Sequence, residues 1–243
     1  MRALVPMIVV LAAGGSCLGA DVGEVTEKLV AAHGKLKSFS AKLEGESRMS
    51  TNMESKTKGT FEWMRSGDEV RYRQEVKRVS KHTFDGESFE SDEHRILLVD
   101  GKFHYQVNAD TKNVLKQDFD PGTSESLAPG PFLQQLGYRY DHLKVRAEEK
   151  VGKHDCYVIE ATGSMFDDDE QDPEDTTINV IRERHWFAKK LGVPIRSEGY
   201  DRKGNVVRKR LYTPNKVNEK LDPKRFVLNI EGANVQDHSS AAK

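Results

Sequence analysis

Two periodicities divide the chain. Val22, Val25, Leu29, Ala32 and Leu36 recur at steps of three and four, the spacing that places apolar side chains on one stripe of a helix. "KSFSAKLEGES", residues 37–47, ends the stripe, and from there the dominant period is two. In "GTFEWMR", Phe61 and Trp63 fall on one face and Thr60 and Glu62 on the other. In "EVRYRQEVKRV", Val70, Tyr72, Gln74 and Val76 alternate with Arg71, Arg73, Glu75 and Lys77. Ile96 to Val99 is a continuous apolar run. The turn dipeptide Asp100-Gly101 follows, and then Phe103, Tyr105 and Val107 alternate with Lys102, His104 and Gln106. This pattern predicts an antiparallel meander with one dry and one wet face. It also accounts for a cluster that resembles catalytic machinery. Asp100 belongs to a turn, and Lys102 and His104 belong to the wet face, so no chemistry is needed to explain them.

The alternation breaks after Pro121. "GTSESLAPGPFLQQLGYRYDHL" is rich in Gly, Pro and Ser, with an apolar cluster at Phe132, Leu133 and Leu136, and predicts a loop plus one short helix. Strands resume with "YVIEATG". The acidic run "FDDDEQDPED", residues 166–175, lacks the regular carboxylate spacing of a calcium loop and is interrupted by Pro173, so it reads as a solvated loop. "TINVIRERHWFAKK", "VPIRSEGYD" and "NVVRKRLYTP" predict three further meander strands. "KLDPKRFVLNIEGANVQD" closes the chain with another short strand. The expected organisation is a single domain over residues 21–237 and a frayed tail over 238–243.

Composition narrows the function classes. Apolar residues make up 36% of the chain, charged residues 32%, and the net charge is −1. One core with a heavily charged surface is expected, and no net field favours nucleic acid. Residues 1–20 differ in kind. Met1-Arg2, the apolar run Leu4 to Ala13 and the small residues of "GGSCLGA" read as a secretory signal peptide cleaved near Ala20, too short for a membrane span. "GGSC" also resembles a bacterial lipobox, so an acylated Cys17 that anchors the chain stays open. Cys156 is then the single cysteine of the mature chain and reads as a small buried apolar residue on a strand. No GxSxG, HExxH, CxxC, P-loop or Rossmann fingerprint is present. His185, beside Trp186 on a strand, reads as a packing or surface residue. The basic clusters "RYRQEVKR" and "VVRKRLY" read as a solvated sheet face. Neither an enzyme nor a cofactor is expected.

The order of the elements carries a resemblance. The signal peptide and one amphipathic helix come first. "SFSAKLEGE", "GTFEWMR", "LLVDGKFHYQVNADTKNVLK", a central short helix, "HWFAKKLGVPIRSEGYDRKGNVV" and "RFVLNIEGANV" follow. Together they resemble the periplasmic lipoprotein carriers of the LolA/LolB type over nearly all of the mature chain. The resemblance implies an α+β, mainly antiparallel fold: a half-open β-barrel wrapped around the N-terminal helix, with a short helical lid over an apolar cavity. It implies a monomeric periplasmic protein that holds acyl chains of lipoproteins or other lipid for sorting to the outer membrane, with inner- and outer-membrane sorting proteins as partners. Phe61, Trp63, Val70, Tyr72, Ile96, Leu98, Phe103 and Tyr105 are the candidate lining, where each buried methylene contributes about 0.8 kcal/mol. The plain alternative is that they pack on the Val22–Leu36 helix as ordinary core. By the same resemblance Arg65 ties the barrel to lid carbonyls; a solvated strand-end arginine is the other reading. Three departures, Ser66 after Arg65, the long polar segment 76–94 and the acidic insertion Asp167–Asp175, keep open a sensor or regulatory binding module on the same fold. A hydrolytic enzyme is the remotest reading, since no nucleophile, base and orienting group are legible together.

Overall fold

The computed structural model describes residues 21–120, 128–164 and 177–240. The expected signal peptide with Cys17, and the acidic run, lie outside these residues. Helix α1 (Val22–Gly34) opens on Asp21, whose carboxylate accepts the Gly23 N–H at 3.1 Å. Six strands follow: β1 (Ser38–Ser50), β2 (Met53–Ser66), β3 (Glu69–Phe84), β4 (Glu87–Val99), β5 (Phe103–Asn108) and β6 (Asn113–Asp118). Helix α2 (Pro129–Arg139) leads into β7 (Tyr140–Val151), β8 (His154–Ser164), β9 (Arg182–Ala188), β10 (Val193–Tyr200) and β11 (Val206–Val217). A short 3₁₀ turn (Pro223–Phe226) and β12 (Asn234–Asp237) complete the described chain.

All twelve strands form one sheet in the order β12-β6-β5-β4-β3-β2-β1-β11-β10-β9-β8-β7. Its two ends, β12 and β7, do not pair, so the sheet is open. Every pairing is antiparallel except β12 with β6, which is parallel. Both helices lie on one face, called here the helix face, where Val25 and Leu29 of α1 and Leu133 and Leu136 of α2 pack with Ile159, Ala161 and Phe187. An open antiparallel sheet around one helix, with a second helix as cap, is the architecture that the LolA/LolB resemblance implies. The motif "LGVP" explains how α1 is seated. Gly192 has φ +65°, and a Cβ there would come within 2.2 Å of the Leu29 carbonyl oxygen. Only glycine lets the β9–β10 turn rest directly on the helix backbone.

The sheet extends past the expected strands. Residues 76–94 form the outer halves of β3 and β4, joined by Asp85 and Gly86 at φ 49° and 80°. Positive φ at both positions is the two-residue turn that matches strand twist. Apolar alternation fades here because toward the hairpin tip neither face is covered: residues 83–92 are all exposed. Strand β7 stands where a loop is expected, for the same reason: after Tyr140 its apolar cover is limited to half-buried Leu143, Val145 and Val151.

Pairing register then sorts the alternating residues onto faces. Trp63 pairs with Tyr72, Tyr72 with Val99, and Val99 with His104, so these share the helix face. Leu98 pairs with Tyr105 and Ile96 with Val107, on the opposite, outer face. The expected single dry face is therefore corrected. At β4–β6 the sheet is dry on both sides. The outer side is covered by the chain's own C-terminal segment, where Leu221 and Phe226 pack with Ile96, Leu98, Val107 and Val114. Arg225 pins that segment by an ion pair to Glu62 at 2.7 Å, and Arg73 donates to the Arg225 carbonyl oxygen at 3.4 Å.

Candidate functional site

The eight candidate lining residues do not form one group. Phe61, Trp63, Val70 and Tyr72 stand together on the helix face. Ile96, Leu98, Phe103 and Tyr105 stand on the outer face, so they do not line a common cavity with the first four. Phe103 there lies under the Lys116 ammonium at 4.0 Å, and Tyr105 donates to Asp100 at 2.9 Å. Burial and Asp100 push the Tyr105 phenol up to about 12. Asp100 does the work of a turn residue, accepting the N–H groups of Lys102 at 2.9 Å and Phe103 at 2.8 Å. His104 is the second correction. Alternation places it on a wet face, but it is buried on the helix face with its ring 6.3 Å from that of Tyr72.

On the helix face, β1–β3 and β11 present a sheet of aromatic rings. Phe61 stacks on Tyr72 at 6.1 Å and meets Tyr212 edge-on at 5.9 Å and Phe39 at 6.3 Å, while Phe119 meets Tyr72 edge-on at 6.2 Å. Such offset and edge-on contacts are the favoured aromatic geometries. Phe61, Trp63 and Tyr72 are at most 2% exposed. The helices pack chiefly over β7 and β8, and α1 reaches the aromatic rings at their margin, where His33 meets Trp63 at 5.0 Å. Arg65 sits at that margin. Its guanidinium lies 5.2 Å over Trp63 and 3.5 Å from His33 Nδ1, and its backbone N–H donates to Lys37 at 2.9 Å. The described contacts of Arg65 are thus with the end of α1 and not with the capping helix α2. Burial, with the Arg65 charge beside it, lowers the His33 imidazole to about 4.

Beyond Tyr72 the helix face opens. A concavity of about 410 Å³ is lined by Leu97 and Leu115 together with the polar side chains of Glu93, Arg95, Gln106, Asn108 and Asn113. Leu97 also packs against the aromatic cluster, so the two features adjoin. Leu97 lies within the apolar run 96–99 and Leu115 follows Val114, but only register shows that these two share one face and come together.

A second cluster lies beneath α2. The Glu183 carboxylate, 3% exposed, receives Tyr140 Oη at 2.7 Å, Arg208 Nη2 at 2.6 Å and His185 Nε2 at 2.8 Å, with Arg139 at 3.4 Å. Burial alone would raise this carboxyl. The His185 hydrogen bond, the Arg208 charge and the Tyr140 hydroxyl outweigh it and hold the group well below the usual carboxylate range. His185 is buried edge-on to Phe132 at 5.0 Å, and burial keeps its imidazole neutral. Arg139 and Tyr140 belong to the end of α2 and the start of β7, so the cluster fastens the capping helix to the sheet. It offers no nucleophile. Among the described residues no group of three His, Cys, Asp or Glu is placed to hold a metal ion. Cys156 is buried, and burial pushes its thiol up to about 11.

No protein-family model matches the sequence, and no curated protein matches it. Solved structures do match. An uncharacterized conserved protein from Thermus thermophilus aligns over 88% of this chain and 98% of its own, at 10% identity and a TM-score of 0.52. A chain of the MucA/MucB complex of Pseudomonas aeruginosa aligns over 85% of this chain and 60% of its own, at 16% identity and 0.49. A LolA superfamily protein from Nitrosomonas europaea aligns over 84% and 96%, at 12% identity and 0.30. At these identities the similarity concerns the fold, and the Thermus structure carries it. No helix among the described residues is long and apolar enough to cross a membrane.

Proposed function

We propose that this chain is an extracytoplasmic binding protein that takes acyl chains of lipids or lipoproteins on the helix face of its sheet. The observation that supports this most is an open concavity of about 410 Å³ at Leu97 and Leu115, beside the packed aromatic cluster of Phe39, Phe61, Tyr72 and Tyr212. That volume falls within the roughly 300–1,000 Å³ typical of small-ligand sites. Two leucines among amide, arginine and glutamate side chains suit an acyl chain with a polar head. Each methylene withdrawn from water contributes about 0.8 kcal/mol, so modest penetration is enough for reversible binding. The absence of a legible nucleophile and base favours holding over hydrolysis.

The test uses the exported protein. Native mass spectrometry should find co-purifying lipid, and a fluorescent fatty acid should bind and be displaced by unlabelled fatty acid. Leu97→Glu and Leu115→Glu place a charge at half-buried positions and should each weaken the probe by about tenfold or more, the scale of one lost apolar contact plus a desolvated charge. Unchanged affinity in both folded variants would remove the concavity from the reading. Stable capture of one membrane protein, with no exchange of lipid, would instead support the regulatory module.

A further inference from the structure

Strand β4 is 13 residues long, and β5 covers only its second half. The pairing runs from Val99 with His104 to Arg95 with Asn108, and the Ala109 N–H closes it on the His94 carbonyl oxygen at 2.8 Å. From Glu87 to Glu93 the strand pairs with β3 on one side and with no described residue on the other. In an antiparallel ladder, successive residues turn their N–H and C=O groups to alternate sides. Since His94 bonds toward β5, the free backbone groups are those of Asp92, Glu90 and Ser88. Such a row is a template for another strand.

We infer that this free edge of β4 takes an extended peptide from a partner protein as an added strand, one that alternates basic with apolar residues. Two features select the occupant. Glu87, Glu90 and Asp92 carry three exposed negative charges along this edge, while Glu93 is already ion-paired with Arg95 and β3 sets Lys81 beside Glu90. Glu90 and Asp92 project on the outer face, where Lys or Arg on the incoming strand stands opposite them. On the helix face Phe89 is 53% exposed and Phe84, beside Glu87 in register, 77%. These two rings are bare at a hairpin tip and give an apolar side chain of the incoming strand somewhere to lie. The charges also argue against a second copy pairing β4 to β4, because like charges directly opposite destabilise a sheet. The acidity argues against an anionic lipid surface as what the two rings meet. This strand-addition site borders the concavity, which Glu93 also lines, but neither reading depends on the other.

The experiment uses the exported protein and two labelled peptides, one alternating Lys and Val and one alternating Glu and Val. Fluorescence anisotropy should give the Lys–Val peptide at least about tenfold the affinity of the other. Hydrogen exchange at Ser88, Glu90 and Asp92 should slow when it binds. Glu90→Pro removes an outward N–H while sparing the β3 ladder, since proline is tolerated on an edge strand. It should weaken the peptide about tenfold, as one lost hydrogen bond does. Should that variant fold poorly, Glu90→Gln with Asp92→Asn keeps the backbone and should cost several-fold in affinity and flatten the salt dependence. Equal affinity for both peptides, or no slowing of exchange, overturns the assignment. So does binding to neutral phosphatidylcholine vesicles that Phe84→Ser with Phe89→Ser abolishes while the peptide fails to bind.

Discussion

The two wings of the sheet bury their outer faces by different means. Over β4–β6 the outer face is apolar, and the C-terminal segment crosses it, with Phe226 fully buried against Leu98 and Ile96. Over β8–β10, Cys156, Val158, Trp186 and Ala188 pack into one cluster with Leu36, Phe39 and Tyr212, and the polar remainder of the outer face covers itself. Arg146 and Arg184 pair with Glu160 at 3.1 and 2.7 Å, Arg184 lies 5.4 Å over Tyr200, Tyr200 donates to Glu198 at 2.6 Å, and Arg196 lies 4.4 Å over Trp186. The first wing depends on a distant piece of chain. The second depends on side chains of neighbouring strands, whose aliphatic stems and rings shield the sheet while their charges stay wet. Apolar rows recruit a cover from elsewhere in the chain, and a charged and aromatic row does without.

That contrast can be broken. Phe226→Ala should be the most damaging change, at about 3–5 kcal/mol, because it empties a packed site and frees the segment that covers the first wing. Denaturant unfolding measures it; a loss near 1 kcal/mol would mean that the segment merely rests there. Next is Glu183→Ala, expected at about 3 kcal/mol, since it leaves Arg208 and Tyr140 without their buried partner. It should also loosen α2, visible as faster hydrogen exchange in residues 129–139.

The acid limb sharpens the seam where α1 meets the aromatic rings. His33 has its imidazole lowered from about 6.5 to about 4, so the unfolded chain binds its proton first. Stability from this group is complete above about pH 6.5 and falls as pH drops toward 4, by about 3 kcal/mol. Glu183, held low, gives way only at more acid pH, below the usual carboxylate value. His33→Phe should therefore flatten the curve between about pH 6.5 and 4 and leave the steeper fall below it; identical curves would sink the assignment. The smallest effect is expected at the second wing's outer face. Arg146→Ala removes one half-exposed partner of Glu160, with Arg184 still in place, and should cost about 0–1 kcal/mol.

Much of the fold was legible. The three–four spacing of Val25 and Leu29 and the alternation of Phe61, Trp63 and Tyr72 are local patterns, and α1, β2, β3 and β5 stand where those patterns place them. Gly101, at φ 105°, makes the expected Asp-Gly turn. The element order also supported the LolA-like architecture, since an open sheet with one helix inside has few ways to connect. The outer halves of β3 and β4, and all of β7, were not legible, because strands with little covering have no reason to alternate.

What the sequence determined by itself is which residues share a face within one strand. Phe103 and Tyr105 do lie together, as do Ile96 and Leu98. What it left undetermined is which face that is. A strand's side chains alternate with period two, so one residue of register between strands exchanges dry for wet. The pairings Tyr72–Val99 and Val99–His104 set that register, sending Ile96, Leu98, Phe103 and Tyr105 to the outer face and burying His104 on the helix face. A second apolar face is stable only if something covers it, and the cover comes from Leu221 and Phe226, more than a hundred residues away. That long-range contact, which no local pattern encodes, is what the tertiary structure decided.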